Sequence, residues 1–206
     1  MQEVVDLCRS ASVPTGFEPR ASLDRLAGST AHQGVVAMGA AHRYSSLDDI
    51  PSGAKLLVLL DGVDDPHNLG AAIRTAHAAG AAAVLIPERR AVGVTEVAAK
   101  AAAGALEYLP VVRVGNVNRA LEILKERGFW IYGFDERGRS IYDETDFASP
   151  AVFVLGGEGK GLHHQVREHC DLVLRIPLEG RIASLNVSVA AGVVLFEWKR
   201  RQKLGK

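Results

Sequence analysis

The chain has 206 residues, 48% of them hydrophobic, and 24 basic and 24 acidic side chains cancel to zero formal net charge. A chain of that size and composition holds one sizeable core, or a core domain with a small appendage, and is neither disordered nor fibrous. The charge balance gives no overall field for a polyanion, although a clustered basic patch is compatible with it, and the two cysteines, Cys8 and Cys170, match no metal-binding spacing and allow at most one bridge.

Residues 1–50 differ in pattern from the rest of the chain. "MQEVVDLCRSA" has the spacing of a short amphipathic helix, "VPTGFEPR" is turn-rich, and "ASLDRLAG" predicts a second helix with a glycine stop. "GSTAHQGVVAMGA" reads as a loop entering a strand, and "YSSLDDIPSG" as a helical turn and linker. This part is too small to hold a core of its own. From residue 51 onward, to 206, apolar β-type runs alternate regularly with helical segments. The runs are "KLLVLLD", "AAAVLIPE", "LEYLPVVRV", "FWIYGFDE", "AVFVLGG" and "LVLRIPL"; the helices are expected over 68–79, 94–103, 117–127 and 163–170, with "LNVSVAAGVVLFEWKRRQ" as the last. Such alternation predicts an α/β fold with a mainly parallel sheet covered on both faces. "LLVLL" is too short to span a bilayer, and no basic segment followed by an apolar one opens the chain, so a cytoplasmic location with no membrane partner is expected.

Ligands of parallel sheets gather at the carboxyl ends of strands, and three such ends are unusual here. In "DGVDDPHNLGAAIRTA", Asn68 is placed to cap a helix whose core stripe is Leu69, Ile73, Ala76 and Gly80. Arg74 falls on a neighbouring face beside Gly70, His77 and Ala78, with no acidic residue three or four positions away. Small neighbours leave room there for a bulky anionic partner, and a plain surface arginine fits the same spacing. In "VLGGEGKGL" the P-loop template fails because Gly161 follows Lys160, and the dinucleotide fingerprint fails because position 162 is leucine. Four glycines that let the backbone approach a ligand, with Glu158 among them, remain. In "IPLEGRIASLNVSVA", Ser184, Asn186 and Ser188 alternate with apolar residues before a helix too apolar to face water, which is buried in the core or against a second subunit. No Ser-His-Asp grouping supports acyl transfer.

In this order the three segments resemble the motifs of the SpoU or TrmH family (SPOUT class) of RNA ribose 2′-O-methyltransferases, and "AHQGVVA" resembles the domain junction of its RlmB-type branch, which acts on a guanosine of 23S ribosomal RNA. The resemblance covers residues 55 to 200. It implies a C-terminal deep trefoil knot, S-adenosylmethionine as methyl donor without a metal, and a homodimer acting on RNA rather than DNA. It implies a cofactor shell of Leu155, Gly156, Gly157, Glu158, Gly159, Ile176, Leu178 and Leu185, and a catalytic set of Arg74, Asn68, Glu158, Ser184 and Asn186. Residues 1–50 then correspond to the remnant of an RNA-binding domain plus linker, and 51–206 to the catalytic domain. Arg43, Arg89, Arg90, Arg113, Arg137, Arg139 and Arg181 are candidates for a basic patch, a solvated scatter being the alternative. Within the family a transfer-RNA guanosine methyltransferase is the rival; outside enzymes, it is an RNA-binding protein that keeps the knot without methyl transfer.

Overall fold

A computed structural model of the chain describes residues 1–157, 159, 161–182 and 184–204. The chain divides into two compact units, Met1–Ala41 and His42–Lys206. In the first, α1 (Gln2–Ser10) and α2 (Arg20–Ala27) form where the periodicity places them, and Gly28 closes α2 in the left-handed conformation. Neither helix buries a residue, as expected for a segment this small. The strand expected within "GSTAHQGVVAMGA" does not form. His32 instead ties the segment to α2, with Nε2 2.8 Å from an Asp24 oxygen and Nδ1 accepting from the Gly34 amide.

The second unit holds strands β1 (Leu56–Asp61), β2 (Ala83–Pro87), β3 (Val111–Val114), β4 (Trp130–Phe134), β5 (Ser140–Ile141), β6 (Ala151–Gly156) and β7 (Leu172–Arg175). Its helices are α3 (Pro66–Ala79), α4 (Glu96–Ala102), α5 (Val117–Glu126), α6 (His164–His169) and α7 (Val187–Leu204). The strands form one sheet in the order β3-β2-β1-β6-β4-β7-β5, and each pairing between these strands is parallel. The α/β expectation therefore holds, and the six apolar runs each contain a strand. The two-residue β5 is an addition, invisible beforehand because it is too short to show a period. No helix among the described residues is long and apolar enough to cross a membrane.

Continuous apolar runs arise because the sheet is covered twice. Leu56, Val58 and Leu60 of β1 join one core layer, with Leu69 and Ile73 of α3 and Val194, Leu195 and Trp198 of α7. Leu57 and Leu59 join the other, with Leu121 and Leu124 of α5 and Val166 of α6. Cys170, after α6, donates through Sγ to the Val166 carbonyl, and burial pushes its thiol up to about 12.

Two local expectations are corrected. The cap of α3 is Asp65, whose side chain accepts from the His67 amide, so Asn68 lies inside the first turn. Asp65 precedes Pro66, and proline favours the first helical position, which moves the helix start two residues earlier. Gly70 does not open space around Arg74, and Gly80 is not core. A Cβ on Gly70 would lie 2.2 Å from the Ala98 carbonyl oxygen of α4, so its smallness lets two helices touch, whereas Gly80 is an exposed left-handed cap.

Candidate active site

The sheet order reverses at β1, which has β2 on one side and β6 on the other, and ligands favour the carboxyl ends of strands at such a point. There Asp61, the last residue of β1, lies in register with Gly156, the last of β6. The turn that leaves β6 is held by two buried carboxylates. Asp61 accepts through its carbonyl from the Gly157 amide (2.8 Å) and through Oδ2 from the His163 amide (2.9 Å), so one residue grips both ends of the turn. His163 Nδ1 lies 2.9 Å from Asp61 Oδ1; since an ionised carboxylate only accepts, Nδ1 carries a hydrogen and Nε2 is left without a role in this clamp. Asp135, just beyond β4, accepts from the Leu162 amide (3.1 Å) and the Arg137 amide (2.9 Å).

The glycines are required by distance. A Cβ on Gly156 would sit 2.1 Å from the Gly161 carbonyl carbon, and one on Gly157 would sit 2.1 Å from the Gly62 oxygen. At Gly156 and Gly157 the contact is thus backbone on backbone, and no larger side chain fits there.

On the β4 and β7 side of this turn opens a cavity of about 280 Å³. Leu155, Gly156, Gly157, Gly159, Ile176, Leu178 and Leu185 all line it, so the structure gathers every described member of the expected cofactor shell around one space. Ser184 lines it too, together with Phe134, Asp135, Glu136, Gly161, Val187 and Ala190. Glu158 and its neighbour Lys160 lie outside the described residues.

The remaining expected residues divide. Asn186 donates through Nδ2 to Asn68 Oδ1 at 2.8 Å, joining the starts of α7 and α3. Its own Oδ1 accepts from the Ser188 amide (2.9 Å) and hydroxyl (2.6 Å), so Asn186 caps α7. Arg74 stands exposed on α3, makes no hydrogen bond or ion pair with any described residue, and does not line the cavity. Two of the arginines named as a patch are engaged within the chain. Arg137 is engaged by Asp135 (3.4 Å) and Glu136 (3.9 Å), and Arg113 lies over the Tyr44 ring at 5.0 Å. His77 stacks on Tyr108 with ring centroids 5.6 Å apart. No group of three or more metal-ligating side chains gathers among the described residues.

Asp61, Asp135 and His163 were absent from the expected set. A signal for the first two exists: "LLVLLD" and "WIYGFD" each end an apolar run on aspartate, where a buried carboxylate can accept amides of the next loop.

The family described as SpoU rRNA Methylase matches residues 55–196, and that described as RNA 2′-O ribose methyltransferase substrate binding matches residues 1–45. YacO of Bacillus subtilis, named for the TrmH family of tRNA/rRNA methyltransferases, is 42% identical over 212 residues, covering 100% of this chain and 85% of the relative. The 23S rRNA (guanosine-2′-O-)-methyltransferase RlmB of Xylella fastidiosa is 45% identical over 189 residues, covering 89% of this chain and 76% of that one. Among solved structures, the SpoU methyltransferase AviRb of Streptomyces viridochromogenes in complex with AdoMet superposes with a TM-score of 0.73 at 30% identity. That match covers 78% of this chain, which spans 63% of the AviRb chain.

Proposed function

Because the chain belongs to the SpoU rRNA methylase family, we propose that it transfers a methyl group from S-adenosylmethionine to the ribose 2′-hydroxyl of a guanosine in 23S ribosomal RNA, as a cytoplasmic homodimer. The observation that carries this reading is the convergence of both glycine-turn and β7-exit residues on one cavity beside the Asn68–Asn186 pair. Residues 1–50 are the remnant of an RNA-binding domain with its linker, and 51–206 the catalytic domain; the substrate-binding match to 1–45 supports the first. The chain from β6 to α7 is a deep trefoil knot, a reading supported by the family and by the turn and β7-exit segments sharing one cavity.

The cavity fits the cofactor. Leu155, Ile176, Leu178 and Leu185 offer aliphatic faces to a flat base and a thioether, and the glycine turn offers close backbone groups to polar atoms. When bound, S-adenosylmethionine supplies a methyl group on a sulfonium whose thioether leaves. The protein's own work is to place the ribose oxygen in line and to stabilise the charge it develops. Asn68, Glu158, Ser184 and Asn186 orient the nucleotide. Arg74 stays charged in nearly every environment, so it acts by holding phosphate or stabilising the alkoxide. It serves the cavity of the other subunit, which agrees with its absence from its own cavity lining. The dimer draws support from α7: Val189 and Phe196 are 52% and 48% exposed on the helix stripe opposite the core. Covering the exposed half of these two side chains contributes on the order of 0.7–1.5 kcal/mol each.

Calorimetry with S-adenosylmethionine tests the cofactor, and no binding at millimolar concentration refutes the enzyme reading. Ribose-methylation mapping of total RNA from a deletion strain tests the substrate; loss confined to a transfer RNA replaces ribosomal RNA in the proposal. Arg74→Ala should lower turnover by at least about a hundredfold and leave cofactor affinity unchanged, because the cofactor cavity contains no part of α3.

A further inference from the structure

A second cavity, of about 200 Å³, lies on the other side of the glycine turn, toward β1 and β2. It shares Gly157 and Gly161 with the first and is otherwise lined by Asp61, Gly62, Asp64, Arg90 and His163. No aliphatic side chain among the described residues lines it, so its chemistry is the reverse of its neighbour's. We propose that this cavity is a subsite for a phosphodiester of the RNA substrate, next to the ribose that receives the methyl group, and that Arg90 is the residue that holds it. The proposal rests on the RNA methyl-transfer reading above.

The fold brings Arg90 there by a specific route. The Val92 amide donates to the Val63 carbonyl at 2.9 Å, lacing the loop after β2 to the loop after β1. Gly62, at φ 76°, is the contact point: a Cβ there would lie 3.0 Å from His163 Cε1 and 3.8 Å from the Arg90 carbonyl oxygen. Arg90 itself sits at φ 60°, a left-handed conformation that costs energy for any residue with a Cβ and that glycine would adopt freely. The side chain is exposed and has no hydrogen bond or ion pair among the described residues. A strained arginine kept at the mouth of a polar cavity is explained by what it binds.

The lining selects phosphate over a base. RNA bases are held by stacking on aromatic or apolar surface, whereas phosphates are held by guanidinium and ammonium groups and backbone amides. The one ring present, His163, is tied by Nδ1 to Asp61, and that carboxylate is itself satisfied by two His163 donors. Arg113, whose guanidinium donates to the Glu88 carbonyl at 3.3 Å, and Arg89 extend the positive edge along the ends of β2 and β3. Two lining carboxylates oppose an anion: Asp61, which His163 already engages through its amide and Nδ1, and Asp64, whose position supplies a test of sign.

The experiment measures binding of the full chain to transcribed 23S rRNA across 50 to about 200 mM salt, beside calorimetry with S-adenosylmethionine. Arg90→Ala and Arg90→Gly should both weaken RNA binding, lower the salt slope by roughly 0.7 to 1, and leave cofactor affinity unchanged. The glycine variant relieves the strained φ, so it should unfold at no lower temperature than wild type; lost binding with a retained fold then reports on contact alone. Arg90→Lys should restore the slope, and Asp64→Asn should tighten binding. Arg119→Ala, which removes a guanidinium already paired with Glu122 at 3.0 Å, should change little. An unchanged slope in the Arg90 variants overturns the proposal. So does weaker binding by Asp64→Asn, which marks the cavity as a base-reading site. Salt-dependent binding needs no catalysis, so a wild type that binds RNA but transfers no methyl group refutes the functional reading and leaves the Arg90 result standing.

Discussion

The described residues within 157–163 and within 177–185 form two walls of the larger cavity with unlike support. The first wall is fastened to Asp61 at both ends and to Asp135 between them. The described residues of the second make no hydrogen bond to the rest of the described chain; Ile182 is 77% exposed and Leu178 37%. One wall has its geometry set by the fold before any ligand arrives, and such preorganisation lowers the entropy lost on binding. The other brings apolar side chains that gain contacts only when something fills the space. As the proposed cofactor site, this arrangement would separate recognition of backbone-scale polar groups from the covering of apolar ones.

The largest effect should come from breaking the fixed wall at its tightest point. Gly156→Ala forces a methyl group against the Gly161 backbone at 2.1 Å, and neither segment can yield without losing its ties. Thermal unfolding should show a loss of about 3 kcal/mol, and calorimetry no cofactor binding; normal affinity would mean that the wall adapts. Asp135→Asn is gentler. An amide has one acceptor oxygen where the carboxylate uses two, so the Leu162 or the Arg137 amide loses its partner. Cofactor affinity should fall about tenfold, the equivalent of one lost hydrogen bond of roughly 1.4 kcal/mol, with turnover at saturation nearly unchanged.

Hydrogen exchange sharpens the contrast without mutation. Amides of the described residues within 178–185 should exchange quickly in the free protein and slow by at least about tenfold with S-adenosylmethionine, while those of Gly157, Leu162 and His163 are slow in both states. Equal protection of both walls before ligand is added would remove the distinction. The smallest effect concerns the anchor beyond the second wall. Glu197 of α7 pairs with Arg200 at 2.6 Å and with Arg201 at 2.6 Å, and these guanidinium contacts hold its carboxyl down at about 2. A lowered carboxylate pKa stabilises the fold above its unfolded value of 4.5 and stops doing so as pH falls toward 2. Glu197→Gln should therefore cost about 1 kcal/mol at pH 7, and denaturant titrations should show the gap closing between about pH 5 and 2.5.

What was readable in the sequence obeys the same division. Strands β1, β2 and β6 announce themselves as unbroken aliphatic runs because both sheet faces are covered. The cavity-lining residues were reached through motif resemblance, and seven of them meet around one space. The aspartates that close two of the apolar runs are visible in the sequence, but not which turn they hold, since His163 and Leu162 lie 102 and 27 residues from Asp61 and Asp135. Nor could spacing tell that Gly70 serves α4 rather than Arg74, because a helical wheel shows a face and not its neighbour. The strand expected before Tyr44 failed for a related reason: β-type residues make a strand only where an open edge receives them. The chain makes an isolated bridge only beyond that segment, Ser45 to Val112.

The burial of Cys170 has a practical side. With burial pushing its thiol up to about 12, Cys170 carries little thiolate at pH 8 and alkylates far more slowly than an open thiol. The only other cysteine, Cys8, is on α1 in the first unit and partly exposed. A maleimide dye or spin label added to the unmutated protein should therefore mark residues 1–41 alone, giving a ready-made reporter of how that unit responds when RNA arrives.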